Sequence, residues 1–147
     1  MRTPTFGRPL LLDTCALIWL ANGDAMTADA IMVLDQAARD GAVLVSPISA
    51  WEIGLLCRPR TARSAALQFR PDAKTWFAKA MSGPGIRPAP FTAEIAFDAS
   101  LLPGQLHNDP ADRLIISTAR RLGAPVVTRD RRMIDYAHAG HLQVIAC

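Results

Sequence analysis

The side chains with the clearest chemical potential in this sequence are five acids from four separated segments: Asp13, Glu52, Asp109, Asp112 and Asp130. Asp13 closes an apolar run, and Asp130 comes two residues after another. Glu52 sits on the second turn of a helical stretch, and Asp109 and Asp112 share the first turn of a different one. Carboxylates gathered in one place repel and raise one another's pKa. A divalent cation resolves that conflict, and an all-oxygen set of ligands selects magnesium or manganese over zinc.

Glu52 is the most informative of the five, because the chain has only one other glutamate, Glu94. In Ile48-Ser49-Ala50-Trp51-Glu52-Ile53-Gly54-Leu55, positions 48, 52 and 55 share a helix face, which turns the carboxylate towards the protein. No lysine or arginine lies one turn away on that face, so an inward Glu52 needs another partner, which a metal would supply. A helix rolled the other way would leave it exposed. Asp109 and Asp112 stack on one helix face, with Pro110 fixing the helix start. They also read as a cap and a favourable charge at the positive helix end, and Asp130 as the cap of the following helix. His107 lies beside the acidic turn, within reach of a substrate phosphate, whereas His138 and His141 read as surface residues. Glycine-rich phosphate loops, a nucleophile elbow and a cysteine–histidine pairing are all lacking in the sequence.

The elements that must position these acids alternate between short apolar runs and helical stretches, the pattern of a parallel-sheet α/β protein. Strands are expected at 9–13, 42–45, 86–91, 126–128 and 142–146. The third is confined to a sheet edge, because Pro88 and Pro90 lack ladder donors. Thr27 caps a helix that Gly41 stops, and Ser46-Pro47 opens the helix at 48–56. Further helices are expected at 74–81 and 92–102, from Asp109-Pro110 to Leu122-Gly123, and at 133–139. Five strands with interleaved helices make a three-layer α/β/α sandwich with a central parallel sheet, spanning residues 1–147 as a single domain. In such sheets the ligand site lies beyond the carboxyl ends of the strands, and all five acids can reach that rim.

Length and charge agree with this frame. At 147 residues with half of them hydrophobic, the chain can bury one core. The longest apolar run, 10–21, is broken by Asp13 and Thr14 and is too short to span a bilayer. No signal-peptide pattern is present, and Cys15, Cys57 and Cys147 have no zinc spacing, so a reduced cytoplasmic location is expected. Net charge is only +3, yet fourteen of the sixteen basic residues are arginine, the side chain suited to bidentate phosphate contacts. Genomic base composition would produce the same bias. With the five rim acids engaged by metal, eight acids face sixteen basic residues over the rest of the chain. Arg58, Arg60, Arg63 and Arg70 follow the Glu52 helix, and Arg129, Arg131 and Arg132 flank Asp130. A negative pocket in positive surroundings suits a phosphodiester polymer.

Four segments then stand in a familiar order: Leu11-Leu12-Asp13-Thr14, Ser46-Pro47-Ile48-Ser49-Ala50-Trp51-Glu52-Ile53, His107-Asn108-Asp109-Pro110-Ala111-Asp112-Arg113-Leu114-Ile115 and Val127-Thr128-Arg129-Asp130. Together they resemble the PIN family, and within it the VapC-type toxins, over nearly the whole chain. The resemblance implies that Asp13, Glu52, Asp112 and Asp130 form an acidic metal site, with Asp109 as a further candidate ligand. It also implies that Thr14, Ser49 and Thr128 support those acids. It implies a magnesium- or manganese-dependent endoribonuclease, usually dimeric, silenced by an antitoxin encoded alongside. The RNA contacts expected here are Arg58, Arg60, Arg63, Arg129, Arg131, His107 and Arg113. The chain departs from the subgroup at Ala111, where an aromatic residue is common, and the segment 58–85 matches nothing specific. Two rival readings stand beside this one. A PIN-like module that binds RNA or protein without cleaving would share the fold. A phospho-acceptor domain would need an acidic pair after the first strand and a late lysine, yet the last lysine is Lys79.

Overall fold

The computed structural model describes residues 8–58 and 67–147, and Arg60 and Arg63 fall outside them. Five strands, β1 (Leu10–Leu12), β2 (Val43–Val45), β3 (Ile86–Pro88), β4 (Val126–Thr128) and β5 (Val144–Ala146), form one parallel sheet in the order β3-β2-β1-β4-β5. Seven helices interleave with them: α1 (Thr14–Asn22), α2 (Ala28–Arg39), α3 (Pro47–Leu56), α4 (Ala73–Met81), α5 (Ala93–Ser100), α6 (Pro110–Leu122) and α7 (Arg131–His138). This is the expected three-layer α/β/α arrangement. Among the described residues no helix is long and apolar enough to cross a membrane.

The strands are short and apolar because both sheet faces are covered. Along β1, Leu10 and Leu12 point into one core with Val43, Val45 and Val127, joined by Leu17 of α1, Leu34 of α2 and Ile53 of α3. Leu11 points to the other face, where Val126, Ile115, Ile116, Met133 and Tyr136 bring in α6 and α7. The period of two along the strands thus divides the core into two layers. α5 does not reach the sheet directly in the same way. It lies on α6, where the buried Ser117 hydroxyl donates to the Ile95 carbonyl at 2.7 Å.

The expected edge position of the third strand holds, but β3 stops at Pro88. The ladder to β2 runs through the Gly85 carbonyl, which accepts from Val43 N at 3.1 Å, and Ala89 N, which donates to Val45 O at 2.8 Å. The missing N–H of Pro88 therefore falls on the open side of the edge, and Pro90 ends the run. Gly85 has φ of 72°, and a Cβ there would lie 1.9 Å from the Ala38 carbonyl oxygen at the end of α2. Gly85→Ala is thus expected to destabilise the protein by more than about 2 kcal/mol, since both a left-handed backbone and a backbone clash oppose it. Denaturant unfolding checks this; a change below half that size would mean the β3 edge shifts freely.

Helix α7 begins two residues earlier than its apolar pattern predicts. Asp130 caps it, its Oδ1 accepting from Arg132 N at 2.8 Å. The early start puts Arg131 and Arg132 in the first turn, where cations oppose the helix dipole.

Candidate active site

The strand order places the change of winding direction between β1 and β4, with β2 and β3 to one side and β5 to the other. A crevice opens at that point beyond the strand carboxyl ends. Four helices begin at this rim or beside it, and each is capped by a side chain: Asp13 for α1, Ser46 for α3, Asp109 for α6 and Asp130 for α7. Their positive ends suit a site that handles anions.

Asp13 is the innermost acid, only 7 % exposed. Its Oδ1 accepts from Ala16 N at 2.7 Å, and its Oδ2 accepts from the Thr128 hydroxyl across the β1–β4 junction. Thr128 is fully buried and its oxygen in turn accepts from Asp130 N at 2.9 Å, so one threonine orients two of the acids. On the other side, the Thr14 hydroxyl donates to Glu52 Oε1 at 2.5 Å. Because its proton is committed there, Thr14 accepts from Ser49 at 2.9 Å, giving a run from the buried Ser49 through the buried Thr14 to the half-buried Glu52. Asp112 is held by His107, whose Nε2 lies 2.7 Å from Oδ2.

Asp13, Glu52, Asp112 and Asp130 all line one cleft of about 250 Å³, together with Thr14, Cys15, Trp19 and Arg129. A larger hollow of about 550 Å³ between α1, α2 and α4 is lined mainly by apolar side chains such as Leu17, Leu34 and Trp76. The smaller cleft is the candidate, because ionisable groups from four segments converge there. The structure separates Asp109 from the other four. It is exposed, its Oδ1 is used as the α6 cap by accepting from Asp112 N at 2.9 Å, and it is not in the cleft wall. Asp112 and Asp130 prove to be both things their spacing allowed, helix-terminal charges and members of the cleft. The face of α3 is also finer than expected. Ser49 and Ile53 are its buried positions, and Glu52 is half-buried at their edge with Ile48 and Leu55.

Burial pushes the Asp13 carboxyl up to about 6, reinforced by the charges of Asp112 and Asp130 and opposed by the hydrogen bonds from Thr128 and Ala16. Burial likewise raises Glu52 and Asp112, with neighbouring carboxylates adding to both shifts. Burial acts the same way on Asp130, but Arg132 beside it reverses the outcome and lowers its pKa. The Cys15 thiol is pushed up to about 11 by burial and by the same acids, so it stays protonated. Among the described residues no three acidic, histidine or cysteine side chains already close on a common point, because each cleft acid is turned to its own protein donor. The donor set still fits a hard divalent ion: all-oxygen, crowded, and strained as a group when ionised.

The arginines divide sharply. Arg58 and Arg131 are exposed, and Arg131 makes only an i,i+4 pair with Asp135. Arg129 stands in the cleft wall with its guanidinium carbon 3.9 Å from the Trp19 ring centroid, donating to the carbonyls of Cys147 and Ala25. Arg113 corrects the sequence expectation. It is turned inwards, with Nε 3.0 Å from the Ala99 carbonyl and Nη1 near those of Leu106 and His107. It fastens the loop that carries His107, and its guanidinium is not displayed to a ligand. His141 is also less superficial than expected, tilted against Tyr136 with ring centroids 5.1 Å apart.

Two cleft residues, Cys15 and Trp19, were not expected at the site, and Arg132, expected only as a basic neighbour of Asp130, touches two of its acids. Cys15 and Trp19 follow Asp13 on α1, so a helix that starts at the rim was signal enough to find them. Arg132 contacts Asp112 and Asp130, each at 3.4 Å. Its signal was a basic side chain in the first turn of a helix, where the dipole disfavours it.

Residues 10–139 match the PIN domain family, and the chain belongs to it. Among characterised proteins it is similar to ribonuclease VapC22 of Mycobacterium tuberculosis (strain ATCC 25618 / H37Rv). The two are 29 % identical over 130 residues, which is 88 % of this chain and 92 % of that protein. Among solved structures it resembles a chain in the crystal structure of VapBC2 from Rickettsia felis bound to a DNA fragment from their promoter. That match has a TM-score of 0.62 at 16 % identity and covers 93 % of this chain and 97 % of the other.

Proposed function

We propose that this protein is a metal-dependent endoribonuclease acting as the toxin of a toxin–antitoxin pair, with magnesium or manganese held by Asp13, Glu52, Asp112 and Asp130. The observation that carries the reading is the meeting of four carboxylates from four segments in one cleft, three of them raised in pKa by burial. Similarity to a protein named as a ribonuclease supports the chemistry, and the motif resemblance to VapC-type toxins supports the antitoxin partner and a homodimer.

Asp13, Glu52, Asp112 and Asp130 would hold the divalent ion, which would supply polarisation of the phosphate and a lowered pKa for a bound water. The chain's own residues set up the reaction. Thr128 holds Asp13, Thr14 and Ser49 hold Glu52, and His107 holds Asp112, so each carboxylate has a fixed hydrogen-bond partner from which it would turn towards an ion. The helix N-termini around the cleft favour the anionic backbone of RNA, and Arg58, Arg129 and Arg131 extend that field. No side chain in the cleft is placed as a nucleophile: the one thiol, Cys15, is held protonated. Attack on phosphorus by a metal-activated water, with the P–O3′ bond breaking and the 3′ oxygen leaving as a hydroxyl, would give strands that carry a 5′-phosphate.

Cleavage of a mixed RNA pool is expected to require added magnesium or manganese, to stop with a chelator, and to leave ligatable 5′-phosphate ends. Chelator-resistant cleavage would overturn the metal assignment. RNA binding without cleavage under any divalent ion would favour a silent binding module instead.

A further inference from the structure

We propose that Arg132 is a built-in counter-ion of the acidic cleft, neutralising Asp112 and Asp130 in the metal-free protein and giving way when a divalent cation enters. The inference rests on the reading of the cleft as a cation site and concerns how that site is kept when empty. One nitrogen, Nη2 of Arg132, lies 3.4 Å from Oδ2 of Asp112 and 3.4 Å from Oδ2 of Asp130. These two acids come from the first turn of α6 and the cap of α7, and Arg132 touches one 20 residues and the other 2 residues before it in sequence. Among the described residues it is the only lysine or arginine that makes an ion pair with any of the four cleft acids.

Two features make this contact a displaceable one. The Arg132 side chain is 57 % exposed, whereas Asp112 and Asp130 are 15 % and 26 % exposed. The arginine can swing into solvent at little cost, and the acids cannot. Both contacts are long, and exposed ion pairs of that kind are weak. The position of Arg132 is a separate observation. Arg132 occupies the first turn of α7, where its charge opposes the helix dipole, and the charges that offset this are the cleft acids Asp112 and Asp130. Its backbone N–H, meanwhile, is the donor that Asp130 caps, which ties the root of the side chain to the cleft whichever way the guanidinium points.

A resident cation must be displaced before a divalent one can bind, so Arg132 lowers the apparent metal affinity of the cleft. Removing it should raise that affinity without any substrate present. Calorimetric titration of manganese chloride into the wild type, Arg132→Ala, Arg132→Lys and Arg121→Ala measures this directly. Arg121 pairs with Glu94 away from the cleft and controls for the loss of one positive charge. Arg132→Ala is expected to bind Mn²⁺ about three- to ten-fold more tightly than wild type, the range that two weak ion pairs allow. Arg132→Lys should stay close to wild type, and Arg121→Ala should not change. The metal-induced rise in melting temperature should be larger for Arg132→Ala, which also confirms that the variant is folded. Equal or weaker binding by Arg132→Ala, with wild type binding normally, would overturn the counter-ion role alone. Absence of Mn²⁺ binding by all four proteins would overturn both this role and the cation reading of the cleft.

Discussion

Asp13→Asn should abolish cleavage while leaving the metal-free protein at least as stable as the wild type. Asp13 is the most buried cleft acid and lies at the carboxyl end of β1 beside β4, so under the proposed reading it is the central ligand of the ion. Its loss should lower kcat/KM by at least the 10²–10³-fold that removal of one transition-state-stabilising group costs in other enzymes. Stability moves the other way. At neutral pH the Asp13 carboxylate is held ionised although its pKa has been pushed up to about 6, and asparagine removes that burden. The asparagine oxygen can still cap α1 through Ala16 N, but the Thr128 hydroxyl loses its acceptor. These terms partly cancel, leaving a gain on the order of 1 kcal/mol. Cleavage assays with labelled RNA, together with melting curves in chelator, test both halves. A variant that is inactive and also much less stable would make Asp13 a structural cap whose loss simply unfolds the rim.

The same residue shows what could be read in the sequence and what could not. Asp13 at the end of a triple-leucine strand announces its place, because a doubly covered parallel strand can only deliver a polar residue at its end. Ser46-Pro47 and Asp109-Pro110 set the starts of α3 and α6 by local backbone rules, and both hold. Contacts that depend on how one helix rolls against another were not legible. The Thr14–Glu52 hydrogen bond spans 38 residues and needs α1 and α3 packed at one particular distance. The partner sought for an inward Glu52 is thus, in the metal-free protein, a threonine hydroxyl. Arg113 misled for a related reason. An arginine next to an acidic motif looks like a phosphate ligand until the end of α5 and the loop at 101–109 are seen to offer it carbonyls instead. The start of α7 lies two residues before its apolar pattern because Asp130 caps it directly, accepting from Arg132 N, while the two arginines of the first turn carry no apolar signal.

The metal-free protein is expected to be more stable at pH 5 than at pH 7.5, and saturating magnesium or manganese should erase or invert that difference. A carboxyl whose folded pKa lies above its unfolded value binds more protons when folded, so its contribution to stability is lost as pH rises through the folded pKa. For Asp13 the rise from 3.8 to about 6 places the loss between roughly pH 4 and pH 7. With Asp13 only 7 % exposed, the shift corresponds to about 2–3 kcal/mol, and the raised Glu52 and Asp112 act in the same direction. Asp130 and Asp72 have lowered pKa values, so the stability they contribute is lost only as pH falls below the usual carboxylate range, outside this window. For a chain of this length the metal-free melting temperature should therefore fall by roughly 5–10 °C between pH 5 and pH 7.5. An ion that binds only the ionised, folded cleft adds about 2.7 kcal/mol at a hundred-fold excess over its dissociation constant, and protons compete with it at pH 5. Its stabilising effect should thus be largest at pH 7.5, where the free cleft is weakest. Asp13→Asn should flatten the metal-free profile and shrink the metal response together. If the wild type instead loses stability from pH 7.5 to pH 5 and magnesium leaves both melting curves unmoved, Asp13 carries the low pKa of an ordinary helix cap. The cleft would then be a set of capped helix ends with no common ligand.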